Sequence, residues 1–210
     1  LEGCSGGGGR FDAGMLYYCP QIWCSDNTDA IERLRIQYGT SFGYPMSSVS
    51  AHVSVCPNHQ NHRVTPFKTR GICAMQGTFG YELDLSKMTD EEKKMAGEQI
   101  AFFKEHGRLF QFGDYYRLTS PFENRDYTVW EYAAQDGSEA CMSVVYTDMY
   151  ANAASEIVKW KGLDPKKVYQ MQLDGEDAGN FSGAALMHAG ILLPLPEQNY
   201  DAFQIYLKAE

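Results

Sequence analysis

The residues of this chain that could support chemistry are a run of glycines and two nearby carboxylates. Cys4 and Ser5 precede four consecutive glycines, and Asp26 and Asp29 lie in a polar segment at the end of an apolar, strand-like stretch. Glycines carry no Cβ and permit a positive φ, so the backbone N–H groups of such a run can approach a ligand closely. A carboxylate beside a glycine loop predicts chemistry on a small polar ligand.

The two aspartates have different predicted roles. Asp29 stands three residues before Glu32 and is followed by apolar residues at helical spacing, which predicts a helix over about 29–38 with Asp29 as its N-cap and Glu32 as a capping-box partner. Asp26 lies between a strand and that helix, a position that belongs to the catalytic face of an α/β barrel. The alternative for Asp26 is an Asx-turn that organises the loop entry, and the local pattern leaves both open.

Composition and charge favour a folded chain of enzyme size. The 210 residues are 44% hydrophobic and carry a formal net charge of −9. That apolar fraction can build one large core or two modest ones. The acidic balance and the lack of a basic cluster argue against nucleic acid or a membrane as a partner, whereas a neutral sugar is compatible. Without a long apolar run or a signal peptide, a cytoplasmic location is expected.

Cysteine and histidine spacing gives little support to a metal site. The six cysteines include no CxxC pair and lack the spacing of a small secreted scaffold, so most are predicted to be buried free thiols. Cys56, His59 and His62 are close in sequence, but no second ligand pair follows at the spacing that zinc sites use. We therefore expect neither a metal nor a cofactor.

The pattern of elements changes near residue 114. Before it, strands alternate with helices, which predicts a parallel α/β architecture. After it, short aromatic and β-branched segments predict an antiparallel β-domain. The sequence thus predicts two domains, 1–113 and 114–210. The elements expected further along the chain are strands over 46–55 and 77–84, helices over 65–76 and from Thr89 to Gly107, and β-domain strands over 115–118, 127–133, 140–146 and 168–173.

Five ordered segments carry a specific resemblance: CSGGGGRFDAGMLYY at 4–18, PQIWCSDNTDAIERLRIQYGTSF at 20–42, HVSVCPNHQNHRVTP at 52–66, FGYELDLSKM at 79–88 and SGAALMHAGILLP at 182–194. Together these segments resemble glycoside hydrolase family 36 α-galactosidases. Such a resemblance implies a retaining hydrolase that removes terminal α-galactosyl residues from galacto-oligosaccharides such as raffinose and melibiose. The implied fold is α/β: the C-terminal half of a (β/α)8 TIM barrel in 1–113, followed by an antiparallel β-sandwich domain in 114–210.

The resemblance also implies roles for individual residues. In that family the first aspartate of the SDNTD segment is the general acid/base, which assigns this role to Asp26. The CSGGG segment contributes to the galactose pocket, so Cys4, Ser5 and Gly6 are expected to contact substrate. The alternative for Cys4 is a buried thiol. His52 is expected either at the pocket rim or as a satisfied core histidine.

The sequence departs from the family at the catalytic nucleophile. A retaining glycosidase needs two carboxyl groups about 5 to 5.5 Å apart. The family nucleophile is the aspartate of a Lys-Trp-Asp strand that precedes the CSGGG segment, and this sequence contains no Lys-Trp-Asp; its closest match, Lys159-Trp160-Lys161, lacks the aspartate. We therefore expect a C-terminal fragment that is inactive alone. The resemblance also implies a homo-tetramer at full length. The alternative is a non-catalytic carbohydrate-binding or assembly module.

Overall fold

The chain folds as two units, Leu1–Gln111 and Phe112–Glu210. The structure is a computed structural model that describes residues 1–4, 6, 9 and 11–210, so Ser5 lies outside the described residues. The first unit is α/β and the second is mainly an antiparallel sheet. No helix in the described ranges is long and apolar enough to cross a membrane.

Short parallel strands and longer helices build the first unit. The strands that the structure describes pair in parallel, in the order β1–β2–β3 and as the pair β4–β5, which confirms the predicted α/β pattern. The strands are β1 (Glu2–Gly3), β2 (Gln21–Trp23), β3 (Val49–Ser50), β4 (Val53–Ser54) and β5 (Tyr81–Glu82), and the helices are α1 (Ala13–Leu16), α2 (Ala30–Thr40), α3 (Phe67–Ala74), α4 (Asp90–Glu105) and α5 (Gly107–Phe112).

Of the strand predicted over 77–84, only β5 is formed. The residues that precede β5 pack across the end of β3 and are not extended. Gly77 lies against the end of β3, where a Cβ would come within 2.4 Å of Val49 O. Thr78 N donates to the same carbonyl at 3.0 Å, and Gly80 O accepts from Val53 N at 2.8 Å. Glycine is therefore required at position 77 by a close backbone approach. The predicted strand over 46–55 is likewise divided into a 3₁₀ turn, β3 and β4.

The sequence predicts the start of α4 correctly but not the end of α2. Thr89 and Glu92 form the predicted capping box of α4, each side chain accepting from the other residue's N–H at 3.1 Å. By contrast, α2 continues past Gly39 to Thr40. Its last turn is closed by hydroxyl groups, since Thr40 Oγ1 donates to Ile36 O at 2.8 Å and Ser41 Oγ donates to Tyr38 O at 2.6 Å. Gly39 is thus an exposed helical residue and not a terminator.

Two buried arginines bond to carbonyl groups of the short strands. Arg33 on α2 donates from Nη2 to Ser50 O at 2.7 Å, and Arg70 on α3 donates from Nη1 to Ser54 O at 2.6 Å. A buried carbonyl without a partner would cost free energy comparable to a lost hydrogen bond. The helices therefore complete the hydrogen bonding of strands that are too short to do so themselves.

The second unit is a six-stranded antiparallel sheet in the order β11–β10–β13–β8–β7–β6, with a separate two-stranded sheet of β9 and β12. This confirms the antiparallel prediction, and two predicted segments match observed strands residue for residue. The elements are β6 (Asp114–Arg117), β7 (Tyr127–Ala133), β8 (Glu139–Tyr146), β9 (Ile157–Val158), β10 (Val168–Leu173), β11 (Glu176–Ser182), α6 (Gly183–His188), β12 (Ile191–Leu192) and β13 (Ala202–Ala209).

A carboxylate lies within the apolar core of the second unit. Glu131 on β7 is 0% exposed and shares a sheet face with the core residues Val129 and Ala133. Its two carboxylate oxygens accept from Lys161 N at 3.3 and 3.0 Å. Burial raises the pKa of Glu131 to about 8, and the bond from the Lys161 N–H acts in the opposite direction. The side chain thus fastens the segment around the fully buried Trp160 to the sheet.

Glu131 should make the stability of the chain fall as pH rises. A carboxyl group of normal pKa in the unfolded chain ionises near pH 4.5, whereas the folded protein keeps its proton until about pH 8. Relative to Glu131→Gln, the wild-type free energy of unfolding should therefore decline between those two pH values, by on the order of 5 kcal/mol. Urea titrations at several pH values, followed by tryptophan fluorescence, measure this difference.

A control for this experiment is Glu176→Gln, which alters an exposed carboxylate of the same unit. Its pH dependence should match that of the wild type. Parallel stability curves for wild type and Glu131→Gln across this range would contradict the raised pKa of Glu131.

Candidate functional site

Asp26 lies in the loop between β2 and α2. Its carboxylate is exposed and accepts no hydrogen bond from any described residue, while its backbone O accepts from Gln60 Nε2 at 2.9 Å. The Asx-turn of this loop is made by Asn27, whose Oδ1 accepts from Asp29 N at 2.9 Å. The N–H of Thr28, which an Asx-turn at Asp26 would use, donates to Gln60 Oε1 at 2.9 Å. The Asx-turn interpretation of Asp26 is therefore wrong.

Gln60 holds the loop from one side. Its Nε2 donates to Asp26 O. Its Oε1 accepts from Thr28 N and, at 3.1 Å, from Thr28 Oγ1. Gln60 itself is positioned by its N–H, which donates to Asn58 Oδ1 at 2.9 Å, and Asn58 Nδ2 also reaches Thr28 Oγ1 at 3.0 Å. The segment that follows β4 thus fixes the backbone on both sides of Asn27.

Asp29 is the helix cap that the sequence predicted. It is 2% exposed, and its Oδ2 accepts from Glu32 N at 3.0 Å and forms an ion pair with Arg63 Nη1. The reciprocal half of the predicted capping box is absent among the described contacts, because Asp29 N donates to Asn27 and the Glu32 carboxylate accepts from the Asn27 amide. Asp29 therefore has structural partners on every side, unlike Asp26.

Arg33 contacts the loop from behind. It is 2% exposed on α2, where Nε donates to Gln37 Oε1 at 2.9 Å. Nη1 donates to Ser25 O at 3.3 Å and Asn27 O at 3.1 Å, and Nη2 approaches Cys24 Sγ at 3.4 Å. Burial lowers the pKa of the Arg33 guanidinium, and the Cys24 sulfur acts against this shift. Sequence reasoning missed Arg33 and Gln60; a charged residue on the buried stripe of a predicted helix was the available signal for Arg33.

The glycine run begins beside this loop. Cys4 directly follows β1, and β1 pairs in parallel with β2, so Cys4 and Asp26 follow the same ends of neighbouring strands. The Cys4 thiol is exposed, which contradicts the buried-thiol alternative. Gly6 has φ +68°, and a Cβ there would meet no atom of the described residues within 4 Å, so the backbone conformation favours glycine at this position.

His52 is buried but has no hydrogen-bond partner among the described residues. Its ring is 8% exposed and lies edge-on to Trp23, with the ring centroids 4.8 Å apart. Nε2 is 3.5 Å from Glu82 Oε2, too long for a good hydrogen bond. Burial, together with the nearby Arg33 charge, lowers the pKa of His52 to about 4 despite the opposing charge of Glu2. His52 is thus a neutral imidazole and not a satisfied core histidine.

Cysteine environments differ more than the sequence predicted. All six thiols are free, but of these Cys19, Cys73 and Cys141 are buried while Cys24 and Cys56 are half-buried. Burial raises the pKa of both Cys73 and Cys141, which keeps these two as inert thiols. In the described part of the chain, no three His, Cys, Asp or Glu side chains are grouped so as to hold a metal ion.

The loop holds the Asp26 carboxylate, which no described residue binds, on a constrained backbone. Ser25, Asn27, Thr28 and Asp29 each have a side-chain hydrogen bond within the loop or to a neighbouring segment, and Asp26 has none among the described residues. A free, exposed carboxylate at a fixed position is suited to accept and donate protons in general acid–base chemistry.

Comparison with known proteins identifies relatives for both units. The family model described as melibiase matches residues 1–113, and that described as the glycosyl hydrolase family 36 C-terminal domain matches residues 127–207. The bifunctional α-galactosidase/sucrose kinase AgaSK of Mediterraneibacter gnavus is 54% identical over 97% of this chain, and the α-galactosidase AgaA of Geobacillus stearothermophilus is 50% identical over 100% of it. The chain spans 21% of the first relative's length and 28% of the second's.

Solved structures agree with these relatives. The galactosidase domain of AgaSK superimposes with a TM-score of 0.94 and 53% identity, covering 100% of this chain and 29% of that one. A variant of AgaA from Geobacillus stearothermophilus in complex with raffinose gives a TM-score of 0.94 and 49% identity, and the match covers 100% of this chain and 28% of that one.

Removing the Asp29 side chain should destabilise the chain by more than a helix cap alone. Asp29→Ala loses the bond from Glu32 N, worth about 0.5 to 2 kcal/mol, and leaves Arg63 without its carboxylate partner, so we expect a total loss of roughly 2 to 5 kcal/mol. Asp29→Ser keeps a capping oxygen but not the charge, and should lose less. Urea unfolding of the three proteins measures both contributions, and equal losses for the two variants would show that the cap contributes nothing.

Proposed function

Since the chain belongs to the melibiase family, we propose that it is the C-terminal part of a retaining α-galactosidase and carries the general acid/base of that enzyme. The substrates are galacto-oligosaccharides with terminal α-galactosyl residues, such as raffinose and melibiose. Relatives named α-galactosidases support this, as does the relative solved with raffinose. We further propose that residues 1–113 form half of a (β/α)8 barrel, that 114–210 form the C-terminal β-sandwich domain, and that the enzyme is cytoplasmic.

The observation that carries this proposal is the exposed carboxylate of Asp26, which no described residue binds, on a backbone held by Gln60. In the first step, Asp26 donates its proton to the glycosidic oxygen as the bond to the leaving sugar breaks. In the second step, the same carboxylate takes a proton from the water that attacks the galactosyl-enzyme intermediate. Both steps need a group that can reach the substrate without first breaking protein contacts, and Asp26 has no such contact among the described residues.

A second carboxylate must form the covalent intermediate. No Lys-Trp-Asp segment occurs in this sequence, and the chain spans 21% and 28% of the two relatives compared. We propose that the nucleophile belongs to a part of the enzyme outside these 210 residues and that the chain alone is inactive. Cys4, Ser5 and Gly6 would line the galactose pocket, and the enzyme would be a homo-tetramer.

Asp26→Asn should impair the enzyme in a way that depends on the leaving group. An asparagine cannot protonate the glycosidic oxygen, so kcat/KM for raffinose should fall by roughly 10² to 10⁴-fold. An aryl α-galactoside with a good leaving group needs no acid, and its kcat/KM should change little. The matched control is Asp12→Asn, because Asp12 is exposed and caps α1 through a bond that asparagine can also accept. Equal losses for both substrates would argue against the acid role of Asp26.

The isolated chain tests the assignment of the nucleophile. We expect no hydrolysis of an aryl α-galactoside by the 210-residue chain, and turnover once the chain is joined to the preceding barrel strands of the enzyme. Release of the aryl group, followed by absorbance, reports both. Turnover by the short chain would mean that one of its own carboxylates is the nucleophile and would overturn this part of the proposal.

A further inference from the structure

We propose that Arg33 is the positioning residue of the acid/base, acting through the backbone on both sides of Asp26. This inference rests on the proposed function of Asp26. Because the Asp26 carboxylate has no hydrogen bond among the described residues, its location depends on the main chain that carries it. The groups that hold that main chain therefore decide where the proton donor lies.

The contacts of Arg33 bracket Asp26 closely. Nη1 donates to the carbonyl oxygens of Ser25 and Asn27, the residues immediately before and after Asp26, at 3.3 and 3.1 Å. These two bonds tie the loop to the side chain of a helix residue. The guanidinium carbon also lies 5.9 Å from the ring centroid of Trp23, the last residue of β2. One buried group thus contacts the end of the strand and the loop that follows it.

The other nitrogens of Arg33 connect the loop to fixed elements. Nη2 donates to Ser50 O at the end of β3, at 2.7 Å, and Nε donates to Gln37 Oε1 one turn further along α2, at 2.9 Å. Gln37 in turn is 0% exposed and donates to Cys73 O at 3.1 Å. The position of the guanidinium is therefore set by a strand and by a buried polar side chain, so the loop inherits its position from rigid parts of the unit.

The charge of Arg33 strengthens these bonds. Its partners in the described structure are carbonyl oxygens, an amide oxygen and a thiol, with no carboxylate among them. Hydrogen bonds from an ionised donor are shorter and stronger than those between neutral groups. A buried cation also cannot leave these carbonyls without losing hydrogen bonds that offset its desolvation. The loop backbone is thus held by interactions that are costly to break.

Lysine cannot replace arginine at this position. The guanidinium is a planar fork that presents donors in several fixed directions, whereas the lysine ammonium is a single point on a flexible stem. Arg33 uses all three of its nitrogens, directed at separate segments. Arg33→Lys keeps a positive charge but cannot span the two loop carbonyls, Ser50 O and Gln37 together. The variant therefore separates the geometric role of the residue from its charge.

A positioning role predicts a leaving-group signature. A displaced Asp26 protonates the glycosidic oxygen poorly, and a misplacement of about 1 Å can cost roughly 100-fold in rate. In the enzyme that contains this chain, Arg33→Lys should lower kcat/KM for raffinose by about 10- to 100-fold and for an activated aryl α-galactoside by less than about 3-fold. Arg35→Lys, an exposed arginine of the same helix, is the matched control and should leave both values near those of the wild type.

The ratio of the two kcat/KM values, measured on one preparation, decides the matter. A purely structural defect lowers the amount of active enzyme and cancels in this ratio, so an unchanged ratio in Arg33→Lys would overturn the proposal. If that variant yields no folded enzyme, Gln37→Met removes the acceptor of Arg33 Nε, together with the bonds from Gln37 Nε2 to Cys73 O and Gln76 Oε1. It should shift the ratio in the same direction by a smaller factor, and an unchanged ratio there would count equally against the proposal.

Asp26→Asn in the same assay separates this proposal from the one on which it rests. A changed ratio in Asp26→Asn with an unchanged ratio in Arg33→Lys would refute only the positioning role. An unchanged ratio in Asp26→Asn would remove the acid/base role itself. Hydrogen exchange of the 210-residue chain gives a readout that is independent of activity. Arg33→Lys should speed exchange at the amides of residues 26–29 while exchange in β7 and β8 stays unchanged. Exchange at 26–29 as slow as in the wild type would contradict the positioning role of Arg33.

Discussion

Buried carbonyl groups at the ends of very short parallel strands are the constraint on which the first unit depends. Strands of two or three residues leave backbone oxygens that no neighbouring strand can reach, and each must be paired if it is buried. Side chains supply the missing donors: Arg33 reaches Ser50 O, and Arg70 reaches Ser54 O. The same residues link strands to other segments, since Arg70 also pairs with Glu92 at 3.3 Å. The same arginine side chains thus pair the buried carbonyl groups at the strand ends and link the strands to other segments.

This constraint explains which parts of the molecule could be predicted from the sequence. Local composition predicts the strands of the second unit, and the predicted bounds of β7, Tyr127–Ala133, match the observed strand. The caps at Asp29 and Thr89 depend on residues three positions away and were also predicted. Gln60 bonds to a loop more than thirty residues earlier, and no local pattern reports such a contact. Periodicity predicts elements, whereas the site is made by side chains that join elements.

Glu131 shows the same limit in the second unit. Val129 and Ala133, which share its face of β7, belong to the apolar core, so Glu131 occupies a core position although its residue type is rarely buried. What the sequence lacks is the partner, because the Lys161 N–H lies thirty residues further on. In both units, a titratable side chain at a position normally occupied by apolar residues is bonded to distant backbone. Such conflicts between residue type and position are the most informative places to examine in a sequence of this kind.

The separation of Asp26 from the contacts that shape its loop has a consequence for protein engineering. Arg33 and Gln60 grip the backbone around position 26, and the Asx-turn is made by Asn27, so no described bond that defines the loop uses the Asp26 side chain. An engineer can therefore exchange the side chain at this position while the scaffold keeps its shape. Because a substitution at position 26 removes none of these described bonds, natural variation can change the functional group there without changing the loop. Position 26 is therefore more evolvable than the residues that surround it.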